Sequence, residues 1–228
     1  MKRLSFFFLA LGASLLSSCS STAPRSGGSS PAGAYFAYNR PASLPNNPAN
    51  VRVKVSLSNQ MTYVMEGDKP LLVMPVSVGK ASSPTPTGSY RITNREHYHR
   101  ANTHGYAYSG SQSKQTYLSK KPAGWSFKGT PMPYWSGFIG EVYGFHTGWM
   151  KNAPCTQGCI RMHENVAPKF WRLTRIGTPV NIAHSQPEDA TIGRNVPRPP
   201  DAGPLPDYSP EFMLGNGYFT KHQTPTYR

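Results

Sequence analysis

Apolar and polar residues alternate from Val51 to about Ala183, mostly with the period of a strand. Val51, Val53, Val55 and Leu57 alternate with Arg52, Lys54 and Ser56, the pattern of a half-buried strand. Asn59-Gln60 reads as a turn, Met61 to Met65 as the returning strand of a hairpin, and Glu66-Gly67-Asp68 as a second turn. Leu71 to Val78 is a nearly continuous apolar run, predicting a strand with one irregular point at Pro75 and an end at Gly79. A proline-rich loop, Ser83 to Gly88, precedes a strand over Ser89–Asn94. Residues 95–130, rich in Tyr, Gly, Ser and Lys, read as a long insertion. Pro131 to Trp135 opens an aromatic strand toward Phe138 and Ile139, and Val142 to Phe145 runs directly into His146. Asn165 stands where it would cap a helix through Leu173, with Pro168 in the first turn; Ile176-Gly177-Thr178 closes it, and Pro179 to Ala183 is a last strand. The pattern predicts a mostly β domain over residues 50–184 with one main helix.

Both ends lack this periodicity. Residues 20–49 are rich in Ser, Gly, Pro and Ala and read as a flexible linker, with Tyr35, Phe36 and Tyr38 in loose local contact. About thirty such residues span roughly 30 Å as a coil and about 100 Å when extended. Residues 185–228 form a proline-rich tail, lying on the domain or free, in which Phe212, Met213, Leu214, Tyr218 and Phe219 are apolar enough to dock. The chain starts with MKR and an apolar stretch, LSFFFLALGASLL, too short to span a bilayer; residues 1–18 read as a secretory signal peptide. Leu16-Ser17-Ser18-Cys19 resembles the lipobox of bacterial lipoproteins, which implies an acylated Cys19 as the first mature residue. Ser20 after it, where aspartate would favour inner-membrane retention, points to an outer-membrane anchor facing the periplasm.

Charge sharpens the choice of partner. The formal net charge is +14, and loss of Lys2 and Arg3 with the leader leaves +12. Such a protein attracts polyanions. Export excludes nucleic acid and leaves anionic lipid and the acidic polymers of a bacterial wall.

The candidate chemistry is concentrated in His146–Arg161, HTGWMKNAPCTQGCIR. A thiol is nucleophilic as its thiolate, and an imidazole nearby can take the proton to leave a thiolate–imidazolium pair. Gly158 permits a sharp turn that could aim amide N–H groups near Cys159 at a developing oxyanion. The same residues also fit a turn between strands with a buried cysteine and an unrelated histidine. Cys155 reads as a small buried hydrophobe; a disulfide with Cys159, or a zinc site with His146, Cys159 and His163, is the alternative. His97, His99, His104 and His184 read as surface residues, the first three being candidates for lining a groove.

Four blocks, in order, carry a resemblance. They are Leu72 to Gly79 (LVMPVSVG), Thr85-Pro86-Thr87-Gly88, Pro131-Met132-Pro133-Tyr134, and His146–Arg161 followed by Gly177-Thr178-Pro179-Val180. Together they resemble the YkuD-type L,D-transpeptidase catalytic domain, a bacterial cell-wall family. The resemblance implies a β-sandwich-like fold, Cys159 as nucleophile, His146 as base, and the Thr147 backbone carbonyl orienting the other imidazole nitrogen. It implies no cofactor and no metal. The donor would be a peptidoglycan stem tetrapeptide that loses its terminal D-alanine to form a thioester. The acceptor would be an amine of another stem or of a wall-anchored lipoprotein. The Gly158 and Cys159 amides and the Tyr134 hydroxyl are the oxyanion candidates, and Arg161 braces the loop or a stem carboxylate, or forms a purely structural ion pair. Two departures stand out: Gln157 replaces the family's usual histidine and cannot carry a proton, and His146 and Cys159 are close in sequence. Water as acceptor, giving a carboxypeptidase or hydrolase, and a non-catalytic wall-binding lipoprotein remain alternatives. A papain-like peptidase has its cysteine before its histidine, and a sortase has its histidine much further upstream.

Overall fold

The computed structural model describes residues 31–201 and 208–221. The signal peptide and Cys19 lie outside the described residues. The N-terminal alternation becomes strands β1 (Val51–Ser56), β2 (Met61–Glu66) and β3 (Lys69–Pro75). With β4 (Gly88–Arg91) and β12 (Pro179–Ala183) they form a five-stranded sheet in the order β3-β2-β1-β12-β4, antiparallel except for β1 beside β12. A second sheet has the order β11-β10-β9-β5, from β5 (Asn94–Glu96), β9 (Trp135–Ile139), β10 (Tyr143–Thr147) and β11 (Ile160–Met162). One core joins the two: Val53, Val55, Val64 and Leu72 from the first meet Phe138, Phe145, Ile160 and Met162 from the second. Helix α2 (Ala167–Leu173) adds Phe170, whose ring centroid lies 4.6 Å from that of Phe145. The fold is mostly β and sandwich-like.

Several local expectations need correction. The run Leu71–Val78 is a strand only to Pro75; beyond it Ser77 pairs with Arg161 and Gly79 with Thr156 as isolated bridges. The strand predicted over Ser89–Asn94 divides into β4 and β5, separated by Ile92 and Thr93. Asn165 does not cap α2: the N-cap position is Val166, with no side-chain cap, and Asn165 Nδ2 donates to the carbonyls of Phe36 (2.7 Å) and Tyr38 (2.9 Å). Its partners lie far away in sequence, so local pattern could not reveal them.

Residues 95–130 supply a third sheet, β7-β6-β8, from β6 (Arg100–Ser109), β7 (Gln112–Tyr117) and β8 (Ser126–Pro131). The described part of the stretch read as a flexible linker is packed instead. Helix α1 (Pro31–Ala37) buries Tyr35 against Met150 and Trp149, and Arg40 Nε donates to Val73 O at 3.0 Å. Tyr35 is 1% exposed, so its contact is a core contact rather than a loose one. The tail is likewise docked. Asp189 accepts from Tyr63 Oη (2.6 Å) and Ser56 Oγ (2.7 Å), and Lys54 pairs with Glu188 at 2.5 Å. Helices α3 (Pro210–Leu214) and α4 (Gly217–Thr220) seat Met213, Tyr218 and Phe219, while Arg100 donates to the carbonyls of Met213 (2.9 Å) and Gly215 (2.6 Å).

Candidate active site

The site is a consequence of strand register. β10 and β11 run parallel with Phe145 opposite Ile160, His146 opposite Arg161 and Thr147 opposite Met162. Phe145, Ile160 and Met162 are fully buried in the main core. Side chains alternate along a strand, so His146, Arg161 and Cys159 share the other face. Cys159 falls beside Gly144, which makes Cys159 and His146 diagonal cross-strand neighbours. A one-residue slip would turn the imidazole and guanidinium into the core. Gly144 has no room for a side chain: a Cβ there would come within 2.8 Å of the Trp135 ring. Trp135 stacks with His146 (centroids 6.3 Å apart, planes at 29°) and with His99 (4.1 Å, 16°).

The turn that delivers Cys159 requires glycine twice over. Gly158 has φ +105°, and a Cβ there would come 2.2 Å from the Tyr143 ring. Thr156 Oγ1 accepts from Gly158 N (3.2 Å) and donates to Cys159 O (2.6 Å), fixing the turn from within. The Gly158 amide is therefore already engaged, which removes it from the oxyanion candidates. The loop is also tied to the first sheet: Cys155 N and Thr156 N both donate to Val78 O, at 2.9 and 3.0 Å.

His146 Nδ1 lies 2.7 Å from Thr147 O. A carbonyl only accepts, so Nδ1 carries the proton and Nε2 keeps its lone pair. Burial, and then the Arg161 guanidinium, hold this imidazole down to about 3, against a smaller upward pull from the Thr147 carbonyl. Burial pushes the Cys159 thiol up, opposed by the Gly144 amide and by Arg161. Cys159 Sγ donates to Val142 O at 3.7 Å. Both shifts favour neutral thiol beside neutral imidazole over the thiolate–imidazolium pair expected from sequence.

Two adjoining cavities serve these groups. One, of about 600 Å³, contains Cys159 with Pro84, Glu141, Tyr143 and Gln157. The other, of about 260 Å³, contains His146, Arg161 and Trp149. His104 and Met132 line both. Arg161 Nη1 donates to Trp149 O at 2.7 Å, and among the described residues no carboxylate pairs with it. Among the described residues, the structural ion pair considered for this arginine is not formed.

The other candidates are dispersed. Tyr134 lines neither cavity; at φ +58° its ring packs against His97 (4.7 Å) and Trp171 (5.7 Å). Gln157 is exposed and donates to Tyr117 Oη at 3.3 Å. Cys155 is half-buried, not a core hydrophobe, with Arg161 Nη1 4.0 Å from its sulfur, and both it and Cys159 are free thiols. His163 cannot join a zinc site: Nε2 lies 2.8 Å from Tyr35 O and Nδ1 accepts from Asn165 N at 3.1 Å. Of the three clustered histidines only His104 reaches the cavities, and His99 is buried against Trp135 rather than on the surface. Sequence reading missed Tyr208 and gave Met213 and Tyr218 only as apolar enough to dock; all three wall the imidazole side from the C-terminal segment.

A sequence profile of the L,D-transpeptidase catalytic domain matches residues 50–182, and the chain belongs to that family. No curated protein matches it. Among solved structures, it is similar to an L,D-transpeptidase from Mycobacterium smegmatis at 16% identity and TM-score 0.45, over 59% of this chain and 58% of that one. It is also similar to an L,D-transpeptidase from Stackebrandtia nassauensis, at 20% identity and TM-score 0.43, over 64% of this chain and 60% of that one. A third is the catalytic domain of the Enterococcus faecium enzyme, at 21% identity and TM-score 0.43, over 58% of this chain and 96% of that one. The matched region thus spans less than two thirds of the first two chains.

Proposed function

We propose that this chain is an exported, lipid-anchored L,D-transpeptidase acting on peptidoglycan stem tetrapeptides. The observation that carries this reading is the β10–β11 register, with thiol, imidazole and guanidinium on one face over adjoining cavities. His146 Nε2 takes the thiol proton as Cys159 sulfur attacks the carbonyl before the terminal D-alanine. That proton passes to the departing D-alanine amine, and a thioester remains. An amine from another stem, or from a wall-anchored lipoprotein, then forms the new amide and restores the thiol. The Cys159 amide is the oxyanion donor we assign. Arg161, free of an acidic partner among the described residues, suits a stem carboxylate. Glu141, at the thiol-side cavity, favours a cationic amine over water as acceptor.

The anchor in this reading is Cys19, with the protein on the outer membrane facing the periplasm. Since α1 begins at Pro31, only residues 20–30 separate anchor from domain, at most about 40 Å of chain. The wall it reaches is closer to the bilayer than a linker of residues 20–49 would allow.

Incubation with a carbapenem followed by intact-mass measurement tests the nucleophile. One adduct on the native chain and none on Cys159→Ala is the expected result; no adduct on folded native protein would leave a non-catalytic wall-binding lipoprotein. Digested walls test the acceptor, since dimers joined through two diamino acids require an amine and shortened monomers require water.

A further inference from the structure

A lysine-type acceptor amine, with an ordinary pKa near 10.4, is free base in only about one molecule in a few thousand at pH 7. Turning that ammonium and a thioester into an amide and a thiol removes two protons from nitrogen. One ends on the Cys159 sulfur, and His146, beside it on the same face, is its natural carrier. The other must reach solvent through a second acceptor.

We propose that His104 is that acceptor, a catalytic base for the incoming amine, placed by the inserted sheet where the thiol cavity meets the imidazole cavity. This rests on the transpeptidase reading above. Among the described residues, His104 is the one histidine that lines both cavities. It lies in the stretch where β6 loses its register with β8, between Arg100 and Gly105, an irregularity of the kind that re-aims a side chain. Opposite it on β7 is Tyr117, whose hydroxyl accepts from Gln157 Nε2 at 3.3 Å and so ties this hairpin to the loop carrying Cys159.

The groups facing His104 leave it as the available base. Among the described residues, on the imidazole side are Arg161, His146, Tyr106, Tyr208 and Tyr218; on the thiol side are Cys159, Glu141 and Tyr143. Arginine stays protonated, tyrosines are neutral acids at pH 7, and a carboxylate is a weak base; Gln157 carries no exchangeable charge. Burial, then Arg161, hold the His104 imidazole below its ordinary value, so it is neutral and able to accept. His97 and His99, from the same part of the chain, are occupied elsewhere, against Tyr134 and Trp135.

The step balances as follows. His104 takes one proton from the ammonium and becomes imidazolium. The freed nitrogen lone pair forms a C–N bond at the thioester carbonyl, and the C–S bond breaks. The second proton passes from nitrogen through His146 to sulfur, giving amide and thiol, and His104 returns its proton to solvent. Water attacks as a neutral molecule and makes no such demand.

The experiment uses the full chain and His104→Gln, a stem tetrapeptide donor, and two acceptors: Nα-acetyl-lysine amide, a cation at pH 7, and hydroxylamine, largely unprotonated there. Products and acyl-enzyme are followed by mass, and folding by thermal midpoint. His104→Gln is expected to be acylated by a carbapenem within about twofold of the native rate and to use hydroxylamine equally well. It should lose about 100-fold or more in transfer to the lysine amide at pH 7. The native rate with the lysine amide should be nearly flat between pH 7 and 9, and the variant rate should rise about tenfold per unit as free amine accumulates. Equal losses with both acceptors, or no loss with either, would overturn the role of His104. A native chain that forms the acyl-enzyme but releases it only to water would also overturn it, leaving the nucleophile intact. A native chain that forms no adduct defeats the transpeptidase reading instead.

Discussion

Cys159 and His146 are diagonal neighbours on one sheet face, yet their surroundings differ sharply. The thiol opens onto a roomy cavity bounded by the Ser82–Pro84 loop and the Glu141–Tyr143 turn. The imidazole sits in a smaller cavity assembled from β6, the β10–β11 pair and the C-terminal residues Tyr208, Met213 and Tyr218. The contrast shows how the proposed base can be held neutral without a carboxylate partner. Burial and a guanidinium keep His146 unprotonated, and a backbone carbonyl sets its tautomer. In the proposed mechanism the proton then moves when sulfur attacks, not before.

The sharpest way to break that contrast is to remove the base itself. His146→Gln is expected to slow carbapenem acylation about 10³-fold with the thermal transition kept; a loss under tenfold would mean that the thiol ionises without it. The thiol side yields next. Gly158→Ala forces a Cβ into the Tyr143 ring at a φ of +105°, shifting the sulfur, and about 100-fold slower acylation should follow, read as adduct mass against time. An unchanged rate would show that the turn tolerates displacement.

Acidity sharpens the comparison without any large rate loss. With His146 held down to about 3, native acylation should be nearly flat from pH 5 to 7, and ultraviolet thiolate absorbance should appear only above the ordinary thiol range. Ending the chain at Asp201 removes Tyr208, Met213 and Tyr218, lets water reach the imidazole, and should bring a fall in rate below about pH 6.5. Identical profiles for the two chains would dismiss the C-terminal wall as a cause. Stability has the same sign. His146, His163 and His104 all have folded values below their unfolded ones, so between those limits the unfolded chain binds more protons. Stability is therefore full above about pH 6.5 and declines as pH falls; an unchanged thermal midpoint from pH 7 to 5 would contradict this.

What could be read in the chain beforehand follows the same division. The β1 alternation, the last strand and the helix through Leu173 were legible because each buries one face against a single core, whereas β2, buried on both faces, was legible from the turns that bound it. The segment proposed to carry the chemistry could be singled out because His146, Gly158 and Cys159 are close in sequence. The walls around it were not. β7 has only exposed and half-buried residues with no regular alternation, which carries little hydrophobic signal, and it is recognised by pairing rather than by period. Tyr134 could be placed near the site from its motif, but its left-handed backbone and inward ring depend on His97 and Trp171. Tyr35 and the C-terminal helices dock on surfaces more than a hundred residues away, and no local pattern encodes that distance.

The smallest expected effect concerns how the N-terminal segment braces the imidazole side. Tyr35 accepts from Met150 N at 3.0 Å through its hydroxyl and from His163 Nε2 at 2.8 Å through its carbonyl, so two contacts hold the loop after His146 to the start of α2. Tyr35→Phe removes the hydroxyl acceptor and keeps the ring packing against Trp149 and His163. The Met150 amide would be left buried without a partner, a cost of about 1–3 kcal/mol by chemical denaturation. The ring still fixes the loop, so the acylation rate should change less than about threefold. A larger kinetic loss than stability loss would mean that this hydroxyl positions Arg161, which is anchored on Trp149 O one residue earlier, and that the brace belongs to the reaction as well as to the fold.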